Sequence, residues 1–414
     1  MAEASISPST SGSSTTAHLP LVVYVLTVGT FLMGTSEFIV AGLLPEIAAD
    51  YNVSVAQVGM AITLFAIGMI FGAPTVALFT LRMPKRIILM LSLVVFAIGH
   101  LIAAFTTDFT VLLVSRVVSA VATSSFWTVA AVVASKAAGS KASARALGIV
   151  IGGGMLANVL GVPLGSIAGQ IAGWRGPFWA LAIIAVVLAI AIIKLVPAEV
   201  SGRTIPRIRD EFAGLRSIRL WLSLLGCVTV NAGALSVYSF IAPLLTEHTG
   251  LASQFIPIAL ALFGVASLIG SIFGGRIGDR HPHTMPMFTA GISALASAGL
   301  LAFSSIPAAA LIMFTLLGLV GLAANPVLTS LAVGYGGNSP TLASSMVVSF
   351  FNVGTALGTW ITGMLIETQL GVLAPPLVGV IFGVLTFVPV VIVAVLERRR
   401  PILRNTFMAP DEVI

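Results

Sequence analysis

Twelve stretches of this chain are apolar for long enough to cross a lipid bilayer, and that repetition leaves few folds open. A helix needs about 20 apolar residues to span the hydrocarbon. The runs cover residues 20–43, 57–80, 86–106, 108–132, 145–171, 177–197, 220–245, 254–277, 285–305, 308–332, 341–366 and 374–396. In lipid the backbone must satisfy its own polar groups, so each run is expected to be a helix. Only 8% of the 414 residues are charged, against about 25% in a soluble domain, which rules out a surface solvated all round by water.

The links between runs are short, apart from Pro197 to Arg219 between the sixth and seventh. The expected fold is therefore an all-α membrane protein, with 12 transmembrane helices in two six-helix halves. Residues 19–197 would form the first bundle and 220–397 the second. Residues 198–219 would be a cytoplasmic linker and 398–414 a cytoplasmic tail. Residues 1–18, rich in Ser and Thr, carry no Lys or Arg. They lack the basic start of a secretory signal and are expected to be a disordered cytoplasmic tail. The single cysteine, Cys227, excludes an intramolecular disulfide and any Cys-rich metal site.

Basic residues fix the expected orientation, because cytoplasmic loops carry an excess of Lys and Arg. With the N-terminus inside, the inner segments hold Arg82, Lys85, Arg86, Lys136, Lys141 and Arg145 in the first half. The centre of the chain adds Lys194, Arg203, Arg207, Arg209, Arg216 and Arg219. Arg276, Arg280, Arg398, Arg399, Arg400 and Arg404 complete the set, so only Arg116 and Arg175 of the 20 basic residues lie elsewhere. The outer loops hold Glu46, Asp50, Asp108, Glu247 and Glu367. Both termini are expected in the cytoplasm. The formal charge of +6 then faces an anionic inner leaflet and not a nucleic acid.

The two halves read as weak copies of each other. Leu81-Arg82-Met83-Pro84-Lys85-Arg86 follows the second run, and Gly278-Asp279-Arg280-His281-Pro282-His283 follows the eighth. Halves built as repeats, with a site between them, are a transporter architecture.

Two formal charges lie well inside the apolar runs: Glu37 in the first and Arg116 in the fourth. An ionisable group in hydrocarbon costs at least ~2.5 kcal/mol, so such groups are functional candidates by default. Counting residues from the run ends puts both in the outer third of the bilayer, and His100 of the third run shares their level. A buried carboxylate beside an arginine can ionise, and takes a proton when the arginine is drawn away. That is proton-switch chemistry; a static ion pair between the first and fourth helices is the plainer alternative. His100 suits either a proton relay or simple hydrogen-bonded structure.

Helical spacing adds neighbours. Arg116, Thr123 and Trp127 share one face of the fourth helix, and Thr30, Met33 and Gly34 share the face of Glu37. Asn231 and Tyr238 are seven apart on the seventh, while Asn158, Asn325 and Asn352 place amides in the fifth, tenth and eleventh. Such amides must meet protein or water, as interhelical glue or as ligand contacts. An aromatic and amide lining suits a largely uncharged, amphipathic small molecule. In the fifth run, Gly161, Gly165 and Gly169 form a smooth strip and Pro163 permits a bend. This stretch is expected to give tight packing and a hinge-like seam between the halves. No GxxxxGK[ST] loop, HExxH or C-x-x-C occurs, which argues against ATP hydrolysis and against zinc or thiol enzymes. His281-Pro-His283 is a poor metal site in a turn beside Arg280.

On these residues the chain resembles the major facilitator superfamily over all twelve runs. Within it the chain looks most like the twelve-helix drug:proton antiporters. Gly275 with Asp279 and Arg280 resembles the superfamily's G-x-x-x-D-R gating motif. Its first-half copy keeps Arg82, Lys85 and Arg86 but has Leu81 and Pro84 in place of the aspartate and glycine. Arg116 matches the arginine of the helix-four proton-coupling motif, and Gly153, Gly161, Pro163 and Gly165 resemble the helix-five antiporter motif. Gly34-Thr-Ser-Glu37-Phe with Gly42-Leu-Leu-Pro45 is similar to the branch of chloramphenicol exporters and sugar (arabinose) efflux permeases. His100 and Gly173-Trp174-Arg175 fit that branch too, and Ser125-Phe126-Trp127 looks more like its sugar-efflux side.

The resemblance implies the major facilitator fold and a monomeric exporter in a bacterial inner membrane, with no cofactor and no enzyme activity. Glu37, Arg116 and His100 would couple protons. Thr30, Met33, Thr123, Trp127, Asn158, Asn231, Tyr238, Asn325 and Asn352 would line the substrate path. Drug efflux leads, sugar or metabolite efflux follows, and a non-transporting membrane receptor is the alternative from another class.

Overall fold

The structure, a computed structural model, describes residues 19–80, 83–139, 142–196, 217–337 and 340–399. The expected tails, most of the linker, and Arg82 of the gating set lie outside the described residues. Among the described residues 12 helices are long and apolar enough to cross a membrane. They are Leu21–Gly42, Val55–Gly72, Lys85–Phe105, Phe109–Ala138, Ser143–Ala172, Arg175–Leu195, Ile218–Ser239, Ser253–Arg280, Thr284–Phe303, Pro307–Tyr335, Leu342–Ile366 and Gly371–Arg398. These are the twelve expected runs, with ends moved by a few residues. Large apolar side chains such as Phe71, Ile171, Val187, Phe288 and Leu295 are exposed on them, as helices need where lipid is the solvent.

One end of the bundle carries Glu46, Asp50, Asp108, Glu247 and Glu367, and is called here the acidic end. The other carries Lys85, Arg86, Lys136, Arg145, Lys194, Arg219, Arg276 and Arg280. Arg175, a basic residue at the acidic end, is tied down where it lies. It meets Asp50 at 2.6 Å and donates to the Thr106 carbonyl at 3.1 Å, with Trp174 against its guanidinium. Asp108 caps the fourth span by accepting from the Thr110 and Val111 amides, which satisfies two orphan donors of the helix start.

Within the first half, small residues set how closely helices approach. Thr30 Oγ1 donates to the Val150 carbonyl at 2.6 Å, joining spans one and five. A Cβ on Gly161, Gly165 or Gly169 would run into Thr35, Ile39 or Leu43. The glycine strip of the fifth span therefore packs on the first span of its own half. This corrects the expectation that the strip forms the seam between halves.

The seam uses another point of the same helix. Pro163 brings no N–H, and ahead of it residues Ala157–Gly161 form a π turn. At that turn a methyl on Gly264 of the eighth span would strike the Asn158 carbonyl and the Val159 Cα. The two halves meet there backbone to backbone, at a glycine that the sequence reading passed over.

Other contacts between the halves lie toward the acidic end. Thr63 and Thr359 hydroxyls are 2.8 Å apart, Ser54 Oγ donates to Glu367 at 3.0 Å, and Gln170 Nε2 donates to the Ser253 carbonyl at 2.9 Å. Phe38 stands edge-on to Tyr238 with ring centres 5.9 Å apart. This end is sealed. At the opposite end of the second half, Arg219 pairs with Glu397 at 3.0 Å and Tyr335 donates to the same carboxylate at 3.2 Å, pinning spans seven, ten and twelve together.

The close approach at Gly264 gives a test. In a Cys227→Ser background, Ser54→Cys with Glu367→Cys should cross-link readily through a short bis-maleimide. Adding Gly264→Val should cut the yield several-fold without loss of folded protein.

Candidate proton-coupling site

The first span does not stay α-helical to its end. The α-helix runs from Leu21 to Phe38, and Ile39–Gly42 continue as a tighter 3-10 turn. Leu44–Tyr51 then begin a short helix with Pro45 in its first turn. The last carbonyls of any α-helix lack intrahelical donors. Ser36 and Glu37 sit among them, and the Ser36 side chain is buried.

Arg116 of the fourth span supplies the missing donors. Its Nη2 donates to the Ser36 carbonyl at 2.6 Å and its Nη1 to Ser36 Oγ at 3.1 Å. The guanidinium lies over the Phe65 ring, 4.4 Å from its centre, a favourable cation–π placement for a desolvated arginine. The side chain is fully buried, and its Nε finds no acceptor. A cation at a helix C-terminus also meets the negative end of the helix dipole. The buried charge is thus held by a helix end.

His100 joins through the same serine. Its Nδ1 is 2.8 Å from the Phe96 carbonyl and its Nε2 is 2.8 Å from Ser36 Oγ. A carbonyl can only accept, so the ring proton belongs on Nδ1. Nε2 then accepts from the Ser36 hydroxyl, which in turn accepts from Arg116. The order Arg116 to Ser36 to His100 to Phe96 satisfies each member. His100 also stacks on Phe96, with centres 3.9 Å apart.

The expected ion pair is absent. Among the described residues Glu37 makes no salt bridge with Arg116, because both Nη groups are spent on Ser36, one residue earlier. Successive helical side chains point about 100° apart. Ser36 therefore meets Arg116 of the fourth span, while Glu37 takes the next bearing and is half-buried. Ser36 is the residue that sequence reasoning missed. Its signal was its position beside the buried carboxylate, but a serine carries no charge to draw attention.

The other sequence-predicted residues separate by surroundings. Thr30, Met33 and Thr123 are fully buried between spans, with Thr123 Oγ1 donating to the Ser119 carbonyl at 2.8 Å. Trp127 lays its ring against Gly154, and its indole N–H has no partner. Asn325 Nδ2 donates to Asn231 Oδ1 at 3.0 Å, and Asn231 Nδ2 to the Phe351 carbonyl at 3.2 Å, linking spans seven, ten and eleven. Asn352 bonds back to the Val348 carbonyl of its own helix. Tyr238 is fully buried against Phe38, Phe263 and Phe314, so in this sealed state it belongs to the closed end and not to an open cavity. Half-buried Trp127, Asn158 and Asn325 are the polar candidates with accessible surface, as Glu37 is.

Lys85 and Arg86 begin the third span, and Asp279 and Arg280 are exposed at the end of the eighth with Gly275 beside Pro326. Gly153 packs under Thr27 and Thr30. Among the described residues no group of three His, Cys, Asp or Glu could hold a metal ion.

Two six-helix halves around buried charge define a membrane transporter, and comparison with known proteins agrees. The sequence profile of the Major Facilitator Superfamily matches residues 26–229 and 224–410. A chloramphenicol resistance protein of Streptomyces lividans is 36% identical over 368 residues, covering 86% of this chain and 92% of that one. The inner membrane transport protein YdhP of Escherichia coli K12 is 31% identical over 359 residues, covering 86% and 91%. Among solved structures, a bacterial homologue of the human lysosomal transporter Spinster, inward-facing and unoccupied, matches with a TM-score of 0.74 at 18% identity, covering 94% of this chain and 98% of that one. The nucleoside transporter NupG matches with a TM-score of 0.71 at 14% identity, over 91% and 98%. The chain belongs to the major facilitator superfamily. It is a multi-pass membrane transporter of small molecules.

The two-point hold on Ser36 predicts that Arg116→Lys is not conservative. An ammonium cannot grip a carbonyl and a hydroxyl in a planar fork while covering Phe65. The variant should lose about 1–3 kcal/mol, read as a lower thermal midpoint in detergent.

Proposed function

We infer that this protein is a proton-coupled efflux antiporter of a bacterial inner membrane, working by alternating access. The carrying observation is half-buried Glu37 beside buried Ser36, His100 and Arg116 beneath a sealed end. This carboxylate makes no salt bridge with the arginine, and its charge would be costly there. With both termini and the basic end in the cytoplasm, the sealed acidic end faces outward and the carrier stands in an inward-facing state. Glu37 takes a proton from outside when that end is open and releases it inside. Substrate binding favours the deprotonated form, so proton and substrate use the carrier in turn.

The substrate class rests on the relative from Streptomyces lividans, a chloramphenicol resistance protein. It also rests on the aromatic and amide side chains of half-buried Trp127, Asn158 and Asn325. An amphipathic, uncharged drug such as chloramphenicol fits both, and sugar or metabolite efflux is the second reading. No nucleotide and no cofactor enters this cycle, and a single chain suffices for it.

Proteoliposomes loaded with a pH dye provide the test. Chloramphenicol and arabinose are added separately under an imposed proton gradient. Chloramphenicol should drive a proton flux that Glu37→Gln abolishes, with the variant folded and inserted as before. Flux with arabinose alone would move the assignment to sugar efflux. Undiminished coupled flux in Glu37→Gln would remove Glu37 from the mechanism.

A further inference from the structure

Protonation of Glu37 can drive a transport cycle only if the rest of the molecule responds to it. The geometry around Ser36 supplies a route. Arg116 caps the first span at the point where the α-helix gives way to the 3-10 turn Ile39–Gly42. That turn and the residue before it make the seal. Phe38 meets Tyr238 of the seventh span, and a Cβ on Gly42 would touch Leu260 of the eighth. The cap, the break and the seal occupy seven consecutive residues, Ser36 to Gly42.

We propose that Arg116 has two alternative partners one residue apart, the Ser36 carbonyl and hydroxyl or the Glu37 carboxylate, and that exchange between them couples the proton to the break in the first span that seals the acidic end. The proposal rests on Glu37 being the proton site. When Glu37 is protonated it needs no counter-ion, Arg116 stays on Ser36, and the α-helix ends at Phe38 with the end sealed. When Glu37 loses its proton, the carboxylate draws the guanidinium one residue along. The Ser36 carbonyl then loses its cap and recovers a donor by continuing the α-helix, as an unpartnered helix-end carbonyl in lipid must. Lengthening the α-helix through Ile39–Gly42 turns Phe38 and Gly42 away from spans seven and eight, and the seal opens. Ser36 is a positioning residue in this scheme.

His100 orients the serine for this exchange. Its Nε2 accepts a hydrogen bond from the Ser36 hydroxyl, which keeps the oxygen lone pairs turned toward Arg116. The third span brings His100, the second Phe65 and the sixth Phe178, so Glu37 and His100 are the titratable partners facing Arg116. Glu46, on the short helix beyond the break, is the next carboxylate outward, and burial pushes it above the usual carboxylate range.

The test is a pH titration of the acidic end by electron–electron double resonance. Spin labels are placed through Thr107→Cys and Gln369→Cys, both exposed at that end and on opposite halves, in a Cys227→Ala background. The parent should pass from a short to a long distance as pH rises. Ser36→Ala leaves the carbonyl but removes the hydroxyl, and should lower the pH midpoint by about one unit, a tenfold weakening of the sealed state. Ser36→Thr, which restores the hydroxyl, should return the midpoint to the parent value. Glu37→Gln should hold the short distance at every pH.

A midpoint unmoved in Ser36→Ala, with Glu37→Gln still locked, would overturn the exchange while leaving Glu37 as the proton site. A Glu37→Gln protein that still opens with pH would overturn the proton site itself. A second measurement needs no substitution at the site. Hydrogen exchange of the peptide spanning 38–43, corrected for its intrinsic pH dependence, should change over the same pH range as the distance. Exchange that stays constant while the distance changes would also overturn the proposal.

Discussion

The structure depends on how a guanidinium can be buried within a membrane-spanning bundle. Arg116 is fully buried and makes no salt bridge with Glu37, yet it is held by two donations to one residue, Ser36. The cost of burying the charge is met by a helix that ends early, because an early end exposes carbonyls that need donors. Each half of this arrangement would be unstable without the other. A broken span in lipid needs a donor, and an arginine away from a carboxylate needs an acceptor. The Phe65 face and the His100–Ser36 bond complete the shell.

The same break gives the carrier its shape at the acidic end. Residues that continue past Phe38 are the ones that touch spans seven and eight, while Gly264 and the π turn at Asn158 close the neighbouring seam. In both places a helix departs from α geometry where the two halves meet. The reasons are local and different. In the first span Gly42 and Pro45 end the run, and in the fifth Pro163 removes a donor.

Most of the fold was legible from sequence because bilayer physics is unforgiving. Apolar length gives the spans, and the division of Lys and Arg from Asp and Glu gives the two ends. Glu37, Arg116 and His100 stood out because charge and imidazole are rare in apolar runs, and the structure brings them to one level. Ser36 was not legible, since a serine in a membrane helix has many ordinary uses and its importance comes from a carbonyl that every residue carries. The glycine strip of the fifth span was read correctly as a packing surface and given the wrong partner. Spacing shows that a face is smooth, but not which helix lies on it. Tyr238 was expected at a substrate surface and lies in the seal, because the pattern of one helix says nothing about which state of the carrier buries it.

Exchange of proton for substrate at one carrier is the claim on which the functional account turns, and proton release on binding tests it most directly. Purified protein in weakly buffered detergent solution near neutral pH is mixed with chloramphenicol, and the pH is followed with an indicator dye. Release of up to about one proton per protein, absent in Glu37→Gln, is the expected result. Saturating binding with no proton released anywhere across the neutral pH range would contradict it.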